Sequence, residues 1–199
     1  MHQSSYEKMR DFRQRYLEPL EGVSLRILDL GSADVNGSYR PLFEGHGWDY
    51  RGLDLSPAKN VDMVLEDPYR WTPVASDSVD VCVSGQALEH IPYFWLIALE
   101  IERVLKPGGL CCLIAPSGGY EHRYPVDCWR FYPDGFETLA RFAQLDIEEV
   151  YTDWTPGTYT DDSALWKDSV LVGRKPHRGR LKRWRNSVRA ALLRKLTTI

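Results

Sequence analysis

Apolar positions recur along this chain at two spacings, and the two alternate. Tyr6, Met9, Phe12, Tyr16 and Leu20 fall three or four apart, which predicts one helix over Tyr6–Leu20, closed by Pro19 and Gly22. Leu25–Leu30 is a short apolar run of the kind found in buried strands, and Gly37–Phe43 predicts a helix that Gly45-His46-Gly47 ends. Strands are expected at Trp48–Leu55, Val61–Leu65 and Val79–Ser84. A helix over Tyr93–Leu105 follows, its apolar face set by Phe94, Ile97, Ile101 and Val104. Lys106-Pro107-Gly108-Gly109 then turns the chain into a fifth strand, Leu110–Ala115. Strands alternating with helices over this length predict an α/β domain, doubly wound on a parallel sheet with helices on both faces.

After the fifth strand the rhythm breaks. Pro116–Asp134 has no period and is rich in Gly, Pro, Tyr, Trp and Arg, and loops of that length in a compact domain are usually functional. A helix at Gly135–Ala143 and a strand at Ile147–Tyr151 precede a second irregular stretch, Thr152–Lys167, which holds Trp154, Tyr159 and Trp166. Ser169–Gly173 is the last expected strand. Leu181, Trp184, Val188, Leu192 and Leu196 then recur at helical steps among Arg and Lys, which predicts a basic amphipathic helix over Arg178–Leu196.

With 199 residues, 43% of them hydrophobic, one compact domain with a full core is expected, and no apolar run approaches the length of a membrane span. Met1–Arg10 is polar and lacks the apolar core of a secretory signal. Of the four cysteines, Cys82, Cys111 and Cys112 fall in expected strands and none forms a CxxC pair. Reduced thiols and a cytoplasmic setting are therefore expected. The net charge of −3 hides a division: ten of the 25 Lys/Arg and none of the 28 Asp/Glu lie in residues 174–199. An acidic domain over residues 1–175 thus carries a basic tail over 176–199. The tail suits an anionic membrane surface, at roughly 1 kcal/mol per basic residue near the lipid, or docking on an acidic protein body. Nucleic acid is the weaker expectation.

The chemistry concentrates at Leu28-Asp29-Leu30-Gly31, a strand running into a tight turn. Asp54 stands 23 residues beyond Gly31, at the end of the next strand, placed to accept the ribose hydroxyls of an adenosine. A strand entering a helix near Gly37 predicts free backbone N–H groups and a positive dipole end over the crevice. A dinucleotide turn calls for Gly-x-Gly-x-x-Gly, whereas Ala33 and Val35 interrupt that pattern here and Asp29 and Asp34 add negative charge. Carboxylates near a pyrophosphate are unfavourable; near an ammonium and a sulfonium they are favourable. The charge pattern selects S-adenosylmethionine over a nicotinamide dinucleotide.

These residues resemble motif I of the class I S-adenosylmethionine-dependent methyltransferases, and further segments match in order. They are Asp54, Glu66-Asp67, Asp80–Ile91 and Arg103-Val104-Leu105-Lys106-Pro107-Gly108-Gly109. The resemblance spans roughly residues 22–175 and is closest to the type 11 branch, similar to bacterial members associated with cell-surface glycan assembly. It implies a Rossmann-like, mostly parallel sheet of seven strands. It also implies Asp29, Gly31 and Ser32 near the methionine end of the cofactor, Asp54 and Leu55 at the ribose, Asp67 at the adenine amino group, and Ser84 and Gln86 beneath the methyl. In quinone O-methyltransferases of this branch a Glu-x-x-Glu-His pattern can hold a divalent metal. Here Gln86 replaces the first acid, and no metal is expected at Glu89-His90.

The loop Glu121–Pro133 leaves the carboxyl end of strand five, where acceptors bind in such folds. Arg123 and Arg130 are candidates for phosphate oxygens, and Tyr124 and Trp129 offer flat faces to a sugar or aromatic ring. Asp127 completes the expected acceptor contacts. The alternative is a self-packed loop in which Asp127 pairs with Arg123 or Arg130. His122 is the first choice for the base that takes the acceptor's proton, and His90 the second. The resulting expectation is O-methylation of a sugar or glycan intermediate by in-line displacement. Methylation of another small molecule, such as a quinone precursor or natural product, and a non-catalytic cofactor-binding scaffold are the competing readings.

Overall fold

The computed structural model describes residues 2–154 and 159–196. Seven strands, β1 (Arg26–Leu30), β2 (Asp49–Asp54), β3 (Met63–Val64), β4 (Val79–Gly85), β5 (Leu105–Pro116), β6 (Asp146–Thr152) and β7 (Asp168–Arg174), form one sheet. Its order is β3-β2-β1-β4-β5-β7-β6. The first five strands pair in parallel, and β7 is antiparallel to both of its neighbours. The chain moves outward from β1 in one direction to β2 and in the other to β4. This leaves a crevice beyond the carboxyl ends of those strands, the usual ligand position in open α/β sheets.

Side-chain alternation along the strands divides the core into two layers. Leu28 and Leu30 of β1, Cys82 of β4, and Cys111 and Leu113 of β5 point to one face. There they meet Ile97, Ile101 and Val104 of α3 (Phe94–Val104), with Phe136, Leu139 and Ala143 of α4 (Pro133–Ala143). Ile27, Val81, Val83, Leu110, Cys112 and Ile114 point to the other face. They pack under Met9 and Phe12 of α1 (Gln3–Phe12) and Leu42 and Phe43 of α2 (Arg40–Phe43). The three strand cysteines are free and buried, and Cys128 is free and exposed.

Several expected elements take a different form. The first helix begins earlier, at Gln3, and passes through a π turn at Arg13–Leu17 and a 3-10 turn at Glu18–Leu20. The wider turn rotates the apolar face, so Leu17 is fully buried and Leu20 is exposed. The helix expected from Gly37 shrinks to the four residues of α2, because the N–H groups of Gly31 to Asp34 go to β2 and the Lys59 carbonyl, and that of Gly37 goes to the Asp34 side chain. β5 starts at Leu105 rather than Leu110, since Leu105 pairs with Val79 across an irregularity in the β4 register. The irregular stretch Thr152–Lys167 contains α5 (Ser163–Trp166), and its residues 155–158 lie outside those described.

The tail forms α6 (Arg180–Leu196). Its buried residues are Asn186 and Ala190, and Ala190 packs with Leu96 and Leu99 of α3. Arg189 donates to the Phe142 carbonyl at 2.8 Å, and Arg194 pairs with Glu100. Leu181, Trp184, Val188, Leu192 and Leu196 all face outward. Among the described residues no helix is long and apolar enough to cross a membrane.

Candidate active site

The glycine turn is built by exclusion. Gly31 adopts φ +74°, and a Cβ there would stand 2.5 Å from the Cβ of Ala87, so the β1 turn lies directly against the segment leaving β4. A Cβ on Gly85 would fall 1.9 Å from the Tyr39 hydroxyl, which makes the β4 tip the seat of that buried phenol. Tyr39 in turn pairs with the Ser5 hydroxyl at 2.6 Å, tying α1 to the motif I loop.

The N–H groups expected to face the crevice are occupied. Those of Gly31 and Ser32 donate to the Leu53 carbonyl, that of Asp34 to the Lys59 carbonyl, and that of Gly37 to the Asp34 carboxylate. The Ala33 N–H donates to Asp54 Oδ2 at 3.0 Å. With only four helical residues following, the helix dipole contributes little here, and the crevice is polarised by carboxylates instead. Asp54 also accepts the Leu55 N–H at 2.7 Å, while the Leu55 side chain is exposed. A carboxylate has about four lone-pair positions. The Ala33 and Leu55 N–H groups take two of them, one on each carboxylate oxygen.

Other expected cofactor residues are placed differently. Asp29 is only 2% exposed and accepts the Tyr50 hydroxyl. Burial pushes its carboxyl up to about 7 against that bond, and Arg40 holds it down while Asp54 raises it further. Asp34 is half-buried and paired with the exposed Lys59 at 2.6 Å. The negative charge beside the cofactor therefore centres on Asp54, not on Asp29 and Asp34 together. Ser32 is buried, and its hydroxyl donates to the Asn60 carbonyl at 3.3 Å, so it pins the loop instead of opening to a ligand. The Ser84 hydroxyl donates to the Leu30 carbonyl at 3.0 Å and ties β4 to β1 as a buried floor. Asp67 is exposed and accepts the Tyr69 N–H at 2.8 Å, and the Leu65 N–H bond to the Asp54 carbonyl keeps this segment beside the ribose position.

Gln86 adopts φ +57° at the tip of β4. Its amide donates to Asp168 at 3.0 Å and to Ser5 at 3.3 Å, and its carbonyl oxygen accepts from His2 Nε2 at 2.9 Å. His2 also stacks on Trp166 with centroids 5.0 Å apart. The start of α1 thus lies across the sheet edge between β4 and β7. His2, Ser5, Tyr39, Trp166 and Asp168 carried no site signal in a linear reading. A carboxylate opening an otherwise apolar strand, at Asp168, is the one clue that was available.

Beyond β5 the irregular loop is fastened to the short helical turn Leu88–His90. Cys128 N–H and Trp129 N–H donate to the Glu89 carbonyl at 2.8 and 3.3 Å, and the Trp129 indole donates to the Ile91 and Pro92 carbonyls. Trp129 packs edge-on against Phe94 and Trp95, so it anchors the loop. Asp127 takes both ends of the Arg130 guanidinium at 2.6 and 2.8 Å and the His122 N–H at 2.8 Å, and those bonds hold its carboxyl far below the usual range. Arg130 also donates to the Tyr120 and Trp129 carbonyls. The pairing with Asp127 removes Arg130 as a phosphate clamp. Arg123 is exposed and paired with Glu121 at 2.7 Å, and Tyr124 is exposed on the rim.

The same fastening brings His122 to His90, with ring centroids 4.9 Å apart at an edge-to-face angle of 81°. His122 also meets Trp166 at 4.5 Å. His90 is shifted downward, chiefly by burial, and its Nδ1 lies 2.6 Å from the Val126 carbonyl. That contact places the proton on Nδ1 and the lone pair on Nε2.

Residues 28–113 match the family model described as a methyltransferase domain. Uncharacterized methyltransferases from Mycobacterium avium and Mycobacteroides abscessus are 44% and 34% identical over 133 and 123 residues. Those alignments take in 59% and 51% of this chain and 50% and 46% of theirs. The chain spans about half the length of the curated relatives it matches. Among solved structures, the Burkholderia thailandensis 1,6-didemethyltoxoflavin-N1-methyltransferase with bound S-adenosylhomocysteine superposes with a TM-score of 0.63 at 16% identity. That match covers 87% of this chain and 85% of the other. The [4+2]-cyclase SpnF gives 0.65 at 16% identity over 85% and 81%. The sheet order is that of the Rossmann-like methyltransferase fold, and the similarity to methyltransferase domains runs from β1 into β5.

Proposed function

We propose that this chain transfers a methyl group from S-adenosylmethionine to a hydroxyl of a sugar or glycan intermediate. The observation that carries the reading is the meeting of His90 and His122 beside the β4 tip, on the crevice edge opposite Asp54. The cofactor supplies an electrophilic methyl on a sulfonium. Asp54 fixes the ribose, Gly31 and Gly85 let the chain approach closely, and Gln86 links the β4 tip to α1 and β7. The acceptor oxygen approaches the two imidazoles. One C–O bond forms, one S–C bond breaks, and the hydroxyl proton passes to the imidazole cluster, with His122 first and His90 behind it.

A sugar suits the exposed aromatic rim of Tyr120 and Tyr124. With Arg130 spent on Asp127, the reading rests on stacking and hydroxyl contacts rather than on a phosphate clamp. Another small-molecule acceptor is the second reading, since structures of this fold include an N-methyltransferase and a cyclase. Mass spectrometry of surface glycans with and without the intact gene tests the choice. Loss of one methyl from a defined sugar supports the proposal, and unchanged glycans overturn it.

For the tail we propose peripheral attachment to an anionic membrane. The outward stripe from Leu181 to Leu196 lies among Lys182, Arg185 and Lys195, and no acidic residue shares the segment. Cosedimentation with anionic but not neutral vesicles is the expected result.

A further inference from the structure

Glu89 is fully buried, and among the described residues neither of its carboxylate oxygens has a hydrogen-bond partner. A buried carboxyl left in that state costs free energy unless a cation or a donor meets it. The nearby His90 Nε2 stands at 3.7 Å, beyond hydrogen-bonding distance. Buried His122 Nδ1 is likewise without a hydrogen-bond partner among the described residues. Three polar groups from two segments thus converge, and two of them are unsatisfied.

One ligating atom each from Glu89, His90 and His122 lies within 4.8 Å of the others. Donor atoms around a tetrahedral zinc, at roughly 2.0–2.2 Å from the ion, stand about 3.4 Å from one another, so modest side-chain rotations complete the set. The surroundings follow the pattern of metal-bound histidines. His90 gives Nδ1–H to the Val126 carbonyl and so turns the Nε2 lone pair inward. Asp127, itself neutralised by Arg130, stands 3.4 Å from His122 Nδ1. Two imidazoles and one carboxylate favour a zinc-type ion over magnesium, which prefers an all-oxygen shell.

We propose that Glu89, His90 and His122 bind one divalent transition-metal ion of the zinc type, with a coordination position open toward the acceptor. The third donor comes from the loop after β5, whereas Gln86, at the position of the missing acid, is tied to Asp168, Ser5 and His2. With the ion bound, the two imidazole lone pairs are spent on it, and polarisation of the acceptor hydroxyl, whose proton then leaves to solvent, takes the place of the imidazole base; that use rests on the methyl-transfer reading, and the binding itself does not.

The test is calorimetric titration of the chelator-treated protein with Zn2+ and with Mg2+, alongside metal analysis by mass spectrometry. One zinc per chain is expected, with magnesium far weaker. Glu89→Gln and His122→Ala should each weaken zinc binding by at least about 100-fold, and Asp127→Asn by about tenfold, as for an outer-shell partner. Cys128→Ser should leave it unchanged. His122 sits in a partly exposed loop, so His122→Ala decides the matter even if Glu89→Gln fails to fold. Absence of stoichiometric zinc, or equal affinity in wild type and His122→Ala, overturns the site. Zinc bound as described with no hydroxyl methylated leaves the site standing and removes the acceptor reading.

Discussion

The two halves of the crevice are built on opposite plans. Around β1 and β2, residues close in sequence close the site on themselves. The motif I loop spends its N–H groups on Leu53, Asp54 and Lys59, and the polar atoms are nearly all satisfied. Around β4, β5 and β7, residues from four distant segments meet, and they leave Glu89 and His122 with polar atoms that nothing answers. A saturated wall recognises a common ligand by shape and a few fixed acceptors. An unsaturated wall holds groups ready for something that arrives from outside.

If the halves are independent, changes in one should leave the other's readout untouched. The largest effect is expected for His122→Ala, which should lower kcat by about 100- to 10,000-fold with any hydroxyl acceptor that is turned over. The cofactor dissociation constant should stay within about twofold, and a large change there would join the halves. Gly31→Ala comes next. Its φ of +74° and a Cβ 2.5 Å from that of Ala87 should cost about 2–4 kcal/mol of stability, read by thermal melting, with cofactor binding weakened in parallel.

Asp54→Ala should weaken the cofactor by about 10- to 100-fold in calorimetry, consistent with losing charge-assisted bonds to two hydroxyls, and leave zinc affinity unchanged. Asp29 gives the most pH-selective effect. Its carboxyl is raised to about 7 in the folded protein from an ordinary value of 3.8. The unfolded chain therefore loses that proton first. The contribution to stability is unaffected below pH 4, declines as pH rises toward 7, and is flat above. Asp29→Asn removes the decline, so its melting temperature relative to wild type should climb between pH 4 and 7. A constant difference across that range sinks the assignment.

Much of the first half could be read along the chain, because its signals are contiguous. Leu28–Gly31 and Asp54 are a strand, a turn and the next strand's end, and the parallel order follows from their alternation. What escaped there was the hydrogen-bond assignment: Ser32 and Asp34 are polar residues in a motif, and only the placement of Asn60 and Lys59 shows that they serve the loop. The second half could not be read in this way. His122 was named as a base from its residue type and loop. Its meeting with Glu89 depends on two backbone N–H groups, of Cys128 and Trp129, finding one carbonyl. Backbone bonds between irregular segments leave no periodic trace. The shift from Leu20 to Leu17 at the end of α1 was hidden for a similar reason, since one π turn changes the face without changing the composition.

The reversed direction of β7 has a consequence for how the protein breathes. Running against β5, it delivers its first residue, Asp168, to the same edge as the last residues of the parallel strands. There Asp168 accepts from Ser4, 164 positions earlier in the chain. Contacts of such separation carry the greatest loop-closure cost and tend to form late. The acceptor wall is therefore the part of the crevice with the least local support, and hydrogen exchange at the start of α1 and around α5 should run ahead of exchange in β1 and β4. On this reasoning the entrance for the acceptor is a region of the fold that opens on its own while the strands beneath stay shut.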